Sequence, residues 1–279
     1  KAGLLDLSSF AKFDIEGPDA ETFLNRLCAN RIPKKTGGIS LVHLLTDLGG
    51  IECEGTVARL SENQYYFLSA AVAEIHDEDW LVRQCLHGEQ VQVKNVTDDY
   101  GVLVLTGPKS REILSQITDA DLSNEAFPWL RCRQIQVSGI PVRALRVSYV
   151  GELGWELHHP MNQMQTLYEK LHQAGKAYGL TDFGTYAVNS LRMEKAYKAW
   201  GGELTTEITP VEADLMRFVD FSKSFIGREA TLARKLQTHA LQLVYLSVDA
   251  PDCDCLGNEP VMDRDCLLYT SPSPRDSSK

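Results

Sequence analysis

Hydrophobic and polar residues alternate most regularly in the segment 142–149, which predicts a strand with every second side chain buried. The alternation places Tyr149 on the apolar face of that strand, because successive side chains of a strand point to opposite sides. Gly151 and Gly154 follow and permit a turn. The segment 142–157 therefore predicts a β-hairpin.

The returning strand of this hairpin separates its side chains onto two faces. Trp155 and Leu157 share one face, so Glu156 must point to the other. A buried carboxylate needs partners, since leaving it unpaired is costly. An aromatic ring and carboxylates grouped around glycines can bind a flat, nitrogen-rich ring. The alternative is that Glu152 and Glu156 are surface charges of an ordinary hairpin.

One strand-turn-helix pattern occurs twice in the chain. Residues 13–18 and 103–108 each read as an apolar strand that ends at Gly-Pro, and an apolar helix face follows. We expect the helices to open at Pro18 and Pro108, because the missing N–H of proline would have no partner in a first helical turn. The two copies indicate two related subdomains.

Short strands interrupted by single helices fill most of the remaining chain. The pattern predicts two further hairpins, at 56–60 with 65–68 and at 135–137 with 142–149, and single strands at 91–96 and 241–248. It also predicts two helices, at 163–178 and 186–199, which are closed by Gly179 and Gly201. This order favours an α+β fold with antiparallel sheets. No GxGxxG loop follows a predicted strand, which argues against a nucleotide-binding domain.

The charge of the chain narrows its partners. The 279 residues carry a formal net charge of -10, and the lysines and arginines are scattered, so we expect neither nucleic acid nor a membrane as a partner. No apolar run approaches the roughly 18 residues of a transmembrane helix. The seven cysteines are dispersed, and Cys253 and Cys255 have the wrong spacing for zinc. We therefore expect a reducing compartment and no bound metal.

Four motifs follow one another in a fixed order. They are Gly-Gly followed by acids at 49–54, Tyr-x-Gly-Glu-x-Gly-x-Glu at 149–156, Leu-Arg-x-Glu at 191–194, and Trp-Gly at 200–201 with Thr-Pro-x-Glu at 209–212. Together, over about residues 3–265, they resemble the glycine-cleavage T-protein (aminomethyltransferase) family, which binds tetrahydrofolate. A single Tyr-x-Gly-Glu motif would not have been specific.

Within that family the chain is similar to the folate-binding C-terminal half of dimethylglycine and sarcosine dehydrogenases, through the segments 2–8, 148–156 and 192–197. The resemblance implies the multi-subdomain (cloverleaf) T-protein fold over residues 1–237, with two subdomains. It also implies that 238–265 begin a C-terminal barrel domain that is cut short. We interpret residues 266–279, which show no strand or helix pattern, as a non-native tail; the alternative is a natural tail rich in serine and proline.

The resemblance implies an enzyme that handles one-carbon units. In the resembled dehydrogenases a flavin oxidises an N-methyl amine to an iminium, and tetrahydrofolate captures the one-carbon unit as 5,10-methylenetetrahydrofolate. We expect FAD only on an N-terminal flavin domain outside this chain, with folate and a small methylated amine as partners. The expected location is the cytoplasm of a bacterium or the mitochondrial matrix of a eukaryote.

The resemblance also assigns roles to individual residues. Glu54 matches the catalytic acid, which can take up a proton and stabilise the cationic iminium. Glu156 matches the acceptor for the N–H edge of the pterin. Tyr149 and Trp200 match rings that pack against the folate, and Arg192 can meet a folate carboxylate. The alternatives are an exposed strand glutamate for Glu54, core packing for the two rings, and a structural salt bridge for Arg192.

Two positions depart from the family pattern, and two other functions stay open. Glu54 stands where Asp is usual, and Leu41 stands where Tyr is frequent; either change can alter the folate chemistry. One other function is a free-standing aminomethyltransferase that accepts an aminomethyl group from lipoyl carrier protein. The second is a non-catalytic relative that binds folate only as a ligand.

Overall fold

The computed structural model describes residues 1–237, 241–249, 260–264 and 266–270. The strands are β1 (Ala2–Asp6), β2 (Ala11–Glu16), β3 (Ile39–Leu45), β4 (Ile51–Arg59), β5 (Gln64–Ser69), β6 (Gln92–Asn95), β7 (Tyr100–Thr106), β8 (Cys132–Val137), β9 (Ile140–Leu145), β10 (Gly154–Pro160), β11 (Leu180–Asp182), β12 (Pro260–Asp263) and β13 (Cys266–Thr270). The α-helices are α1 (Ala20–Leu27), α2 (Glu74–Arg83), α3 (Ser110–Leu114), α4 (Met164–Gly175), α5 (Thr185–Glu194) and α6 (Arg228–Lys235).

Two large sheets organise the chain. The first has six strands in the order β11-β1-β7-β10-β9-β8, and the second has five in the order β3-β4-β5-β2-β6. Their neighbouring strands are antiparallel, except that β1 pairs with β11 in parallel. The α+β prediction with antiparallel sheets is confirmed, and so are the hairpins β4-β5 and β8-β9.

The sheets pack against each other and carry helices on their outer sides. Helices α3 and α4 cover the outer face of the six-stranded sheet, and α1 and α2 cover that of the five-stranded sheet. A separate buried cluster lies between the sheets and joins Tyr66 of β5 to Leu145 of β9. Because side chains of a strand alternate between its faces, every second residue of the central strands turns toward this inner layer.

The repeated strand-turn-helix pattern is present in both copies. Strand β2 ends before Gly17 and β7 ends before Gly107, and both glycines have a positive φ, of 138° and 111°. The helices begin at Ala20 and Ser110, so each proline lies in the turn rather than in the first helical turn that we expected. One copy belongs to each large sheet. The division of residues 1–237 into subdomains stays a prediction.

The helix predicted over 186–199 ends earlier, at Glu194. Ala196 has a positive φ of 54°, its N–H bonds to the carbonyl of Met193, and the N–H of Tyr197 bonds to the carbonyl of Arg192. These two bonds form a Schellman motif, which ends a helix and normally uses glycine at the left-handed position. The alanine gave no sign of it in the sequence. Gly201 lies beyond this helix end.

The strand predicted over 142–149 is also shorter than expected. Strand β9 ends at Leu145, and β10 begins at Gly154. Tyr149 therefore lies in the connecting loop and not on a strand face, which corrects our expectation. The hairpin itself is confirmed, since Glu156 pairs with Leu145. Trp155 and Leu157 are fully buried in the outer core, as the alternation predicted.

The C-terminal part differs from its prediction at two places. Residues 241–248 form no regular strand, and in the described part of the chain their backbone has one hydrogen bond to the rest, from the N–H of Leu243 to the carbonyl of Glu212. Strand β13 pairs with β12, although we expected no strand after residue 265. Residues 271–279 lie outside the described residues. The barrel and tail assignments stay predictions.

Candidate functional site

Glu54 and Glu156 both turn toward the layer between the two sheets. On β4, Cys53 belongs to the outer core, and Ala58, an even-numbered residue like Glu54, belongs to the inner cluster. On β10, Trp155 belongs to the outer core, so Glu156 faces inward. The fold thus directs two carboxylates, one from each sheet, into the same layer.

Glu54 lies directly opposite a buried histidine. His43 is its cross-strand partner in the register of β3 and β4, and Nε2 of His43 lies 3.3 Å from Oε1 of Glu54. His43 is 1% exposed and packs against the ring of Phe218 at 5.2 Å. Neither ring nitrogen of His43 has a well-aligned hydrogen bond among the described residues. The Glu54 carboxylate is its nearest charged neighbour and stays partly open to solvent.

Glu156 has a buried histidine beside it as well. Its Oε2 lies 3.2 Å from Nε2 of His158, and Nδ1 of His158 lies 3.1 Å from the hydroxyl of Tyr66. Glu156 and His158 are on β10, whereas Tyr66 is on β5. The chain of contacts therefore crosses from one sheet to the other. Burial lowers the pKa of His158, more than the adjacent Glu156 raises it.

Arg143 lies next to this chain of contacts. Its guanidinium is 4.2 Å from the ring centre of Tyr66 and 5.1 Å from that of Tyr100, which are cation–π distances. Nη1 also lies 3.5 Å from Oδ1 of Asp14. Burial raises the pKa of Asp14 in spite of the nearby arginine. A positive charge thus lies against the ring of Tyr66, on the residue that pairs with His158 across the strands.

Tyr149 is held by its hydroxyl and interacts electrostatically with Glu54. The hydroxyl donates a hydrogen bond to the carbonyl of Lys198 at 2.8 Å, and the ring stacks on Tyr197 with centres 6.4 Å apart. Burial raises the pKa of Tyr149, and the Glu54 carboxylate raises it further, while Arg192 lowers it. The ring itself is 38% exposed, so one face can contact a ligand.

Trp200 packs next to the start of β4. Its Nε1 donates a hydrogen bond to the carbonyl of Glu52 at 2.9 Å. The side chain of Glu52 in turn contacts His76, with Oε1 2.9 Å from Nε2, and the His76 ring lies 6.2 Å from that of Trp200. Hydrogen bonding to Asp77 is the main reason that the pKa of His76 is raised. Trp200 is only half-buried.

Arg192 is buried and fully engaged with the protein. Its Nη1 donates to the carbonyl of Tyr197 at 2.7 Å and to Glu203 at 3.3 Å, and Nε donates to Asn189 at 3.1 Å. This is the structural salt bridge that the sequence left open as an alternative. Among the described residues it leaves the guanidinium no evident free side for a folate carboxylate. The folate-binding role of Arg192 stays a prediction.

The five predicted site residues fall into two groups. Tyr149 and Arg192 both donate hydrogen bonds to the loop 197–203, which contains Trp200. Trp200 bonds to the carbonyl of Glu52 in β4, and Tyr149 interacts electrostatically with Glu54. Glu156 stands apart, and no hydrogen bond or ion pair joins it to the other four within the part of the chain that is described. Glu152, in contrast, is exposed and lies 3.8 Å from Nζ of Lys195.

Four neighbours of the site were not predicted from the sequence: Tyr66, His43, His158 and Glu203. His158 follows Glu156 by two residues and shares its strand face, so the alternation could have indicated it. The contacts of His43 and Tyr66 depend on strand register and on how the sheets pack. Glu203 carried no sequence signal.

No group of three or more His, Cys, Asp or Glu in the described ranges could hold a metal ion. Over the same ranges, no helix combines the length and the apolar character needed to cross a membrane.

Comparison with known proteins identifies the family. Residues 1–223 match the model of the GCVT N-terminal domain. The chain belongs to this family. It is 41% identical over 264 residues to mitochondrial dimethylglycine dehydrogenase of Mus musculus, an alignment that covers 94% of this chain and 30% of the mouse protein. It therefore spans less than a third of the length of that relative.

Two further relatives support the assignment to the GCVT N-terminal domain family. The aminomethyltransferase of Caldanaerobacter subterraneus is 35% identical over 245 residues, covering 87% of this chain and 65% of that protein. The crystal structure of the glycine cleavage system aminomethyltransferase T from Bartonella henselae matches with a TM-score of 0.74 and 26% identity, covering 83% of this chain and 62% of that one. The resemblance inferred from the motifs is confirmed, and the chain is an aminomethyltransferase-like domain.

Proposed function

We propose that this chain is the tetrahydrofolate-binding, one-carbon transfer domain of a flavin-dependent N-demethylating dehydrogenase of the dimethylglycine or sarcosine type. The observation that carries the proposal is the pair Glu54 and Glu156, which face the same inner layer from two sheets. The 41% identity to a dimethylglycine dehydrogenase, over 94% of this chain, supports the choice of dehydrogenase.

The residues present fit a reduced folate. Glu156 has one carboxylate oxygen at His158, and its other oxygen has no hydrogen bond within the described residues, so it can accept an N–H group from a pterin edge. The partly exposed rings of Tyr149 and Trp200 offer apolar surface to a flat ligand. When bound, tetrahydrofolate supplies the amine nitrogen that accepts the one-carbon unit.

Glu54 is the residue that we assign to the chemistry. As a carboxylate it can take up the proton that the folate amine nitrogen releases when it accepts the one-carbon unit. Its negative charge also stabilises a neighbouring cationic iminium. Tyr149 interacts electrostatically with this carboxylate. The flavin oxidation of the amine belongs to a further domain, outside this chain, so no step of it is assigned to these residues.

Two other functions compete with this proposal. The first is a free-standing aminomethyltransferase, since the alignment with the bacterial aminomethyltransferase covers 65% of that protein. A non-catalytic folate-binding relative would keep Glu156 and use Glu54 only structurally. The full open reading frame separates the first from the dehydrogenase, because only a dehydrogenase encodes a flavin domain upstream.

The decisive experiment for catalysis replaces Glu54 by Gln. The measurement is the rate at which 5,10-methylenetetrahydrofolate forms from formaldehyde and tetrahydrofolate, above the uncatalysed rate. Loss of a general acid-base group should lower that rate about 100-fold or more, while binding of tetrahydrofolate persists. Glu62→Gln, an exposed change in the β4-β5 turn, serves as the control. An unchanged rate in Glu54→Gln would leave only a ligand-binding role.

A further inference from the structure

The geometry points to His158 as a positioning residue that holds the Glu156 carboxylate in the orientation and charge state needed for the pterin edge. Tyr66 holds the other side of the His158 ring. This inference rests on the proposed function, since it concerns how Glu156 would meet a folate. It adds two residues, on two different sheets, to the site.

The His158 ring is buried between two polar partners. His158 is 2% exposed, and its two nitrogens have different neighbours: the hydroxyl of Tyr66 at 3.1 Å from Nδ1 and the Glu156 carboxylate at 3.2 Å from Nε2. Tyr66 is also fully buried. The Tyr66 hydroxyl cannot be replaced by bulk water without opening the inner layer, whereas the Glu156 side chain keeps 15% exposure.

The partners of the His158 ring determine which of its nitrogens carries the hydrogen. An ionised carboxylate only accepts hydrogen bonds, so Nε2 of His158 must carry the hydrogen that faces Glu156. A neutral imidazole has one N–H, and Nδ1 is then an acceptor for the Tyr66 hydroxyl. Glu156 therefore fixes the tautomer whose N–H points at it, and the Tyr66 hydroxyl supports this tautomer by donating to Nδ1.

The charged groups around His158 determine whether its ring is neutral or positive. From the neighbouring strands it is faced by Arg143 of β9 and Lys12 of β2, both positive, and by Tyr66 of β5. On its own strand β10, Glu156 is the one negative neighbour. Burial and the two cations disfavour a positive imidazolium and outweigh the effect of Glu156. His158 is accordingly a neutral donor, and the negative charge of Glu156 is not cancelled by it.

The consequence is a carboxylate with one fixed oxygen and one free oxygen. The N–H of His158 holds Oε2 of Glu156 and so limits rotation of the carboxylate, while Oε1 has no hydrogen bond among the described residues. A ligand N–H then meets an acceptor that is already oriented, which lowers the entropic cost of binding. Without the histidine the carboxylate would rotate freely or turn toward solvent.

A matched pair of variants tests this through binding. In His158→Gln the side-chain amide can place its N–H where Nε2 stood, whereas in His158→Asn the amide lies nearer to the position of Nδ1. We expect His158→Asn to weaken tetrahydrofolate binding by about tenfold or more, and His158→Gln to stay within about threefold of wild type, the scale of one hydrogen bond to a charged group. Equal affinities of the two variants would overturn the proposal.

The tautomer provides a second readout that a merely structural histidine would not predict. ¹⁵N NMR of the wild-type protein, with His158 ring-labelled, should show a neutral ring with the proton on Nε2. Tyr66→Phe, which removes only the hydroxyl, should leave the proton on Nε2, where Glu156 accepts it, and should weaken binding because the ring loses one of its two fixed contacts. A proton on Nδ1 in the wild type, or a charged ring at neutral pH, would refute the inference.

The two readouts separate this inference from the proposed function. The tautomer is measured in the wild-type protein without ligand, so it decides on the contacts of His158 even where a variant does not fold. Failure of the wild type to bind tetrahydrofolate would remove the proposed function. Normal binding by the wild type, with no difference between His158→Asn and His158→Gln, would remove only the positioning role.

Discussion

Arg192 and Glu203 form a buried ion pair, with Nη1 of the arginine 3.3 Å from Oε1 of the glutamate. Arg192 is 1% exposed, and Glu203 also accepts the backbone N–H of Ala199 at 2.9 Å. The pair therefore ties the end of α5 to the loop that carries Trp200. It stabilises the loop around Trp200, and a contact of Arg192 with folate stays a prediction.

We expect Glu203→Ala to destabilise the protein by about 3 kcal/mol, because it leaves a buried guanidinium without its counter-ion. Urea unfolding followed by circular dichroism measures this. The control is Asp79→Ala, which removes an exposed ion pair with Arg83 and should cost less than about 1 kcal/mol. Similar losses for the two variants would show that the buried pair contributes no more than a surface pair.

Gly50 of the Gly-Gly motif has a steric role. A Cβ at this position would lie 1.8 Å from the carbonyl oxygen of Thr206, and the neighbouring N–H of Ile51 bonds to the carbonyls of Thr205 and Ile208. Gly50→Ala must therefore displace the segment 205–208. We expect a loss of about 2 kcal/mol or more in the free energy of unfolding, as in overpacked cores.

Gly184 offers the matched control for that change. It has no positive φ, and a Cβ there would have nothing within 4 Å. Gly184→Ala should change the free energy of unfolding by less than about 1 kcal/mol. If Gly50→Ala changed the free energy of unfolding as little as Gly184→Ala does, the carbonyl of Thr206 could not lie this close to Gly50.

Lys12 makes stability depend on pH. Burial lowers its pKa from the ordinary 10.5 to about 8, and Nζ donates to the carbonyls of Ser8, Phe10 and Thr97. Between these two pKa values the unfolded chain binds more protons at this site than the folded chain, so its contribution to stability rises with pH in that window. Below the folded pKa the cost of burying the charge is fully present.

The check compares the wild type with Lys12→Met in urea unfolding at pH 7 and at pH 10. The methionine cannot titrate, so the difference between the two proteins isolates this site. The stability of the wild type relative to Lys12→Met should be greater at pH 10 than at pH 7. A difference that falls with pH would mean that the pKa of Lys12 is raised in the folded protein.

Local patterns in the sequence predicted most of the strands but not their long-range contacts. The alternation around Trp155 and Glu156 separated the outer core from the inner face, because strand periodicity is a local property. The parallel pairing of β1 with β11 joins residues far apart in the chain, and no local signal encodes it.

Helix and strand ends were harder to predict because tertiary contacts fix them. The end of α5 depends on Ala196 in a left-handed conformation, beside the carbonyl of Tyr197 that Arg192 binds. Alanine has no preference for that conformation. In the site, the residue types and motifs indicated Glu54 and Glu156, but the contact of His43 required the register of β3 with β4, and the contact of His158 with Tyr66 required the packing of the two sheets.

The two glutamates of the hairpin should differ in their effect on folate affinity. Glu156 faces the inner layer beside His158, whereas Glu152 is exposed near Lys195. We expect Glu156→Ala to weaken tetrahydrofolate binding about tenfold or more, as for loss of a charged acceptor, and Glu152→Ala to change it little. Comparing the two dissociation constants tests this assignment, and equal losses would place the pterin edge elsewhere on the hairpin.

Isothermal titration of the wild-type chain with tetrahydrofolate measures directly whether the chain holds a folate site. We expect saturable binding at one site per chain, which Glu156→Ala weakens and Glu62→Gln leaves unchanged. Absence of saturable binding by the folded wild-type chain would contradict the assignment of a folate site between the two sheets.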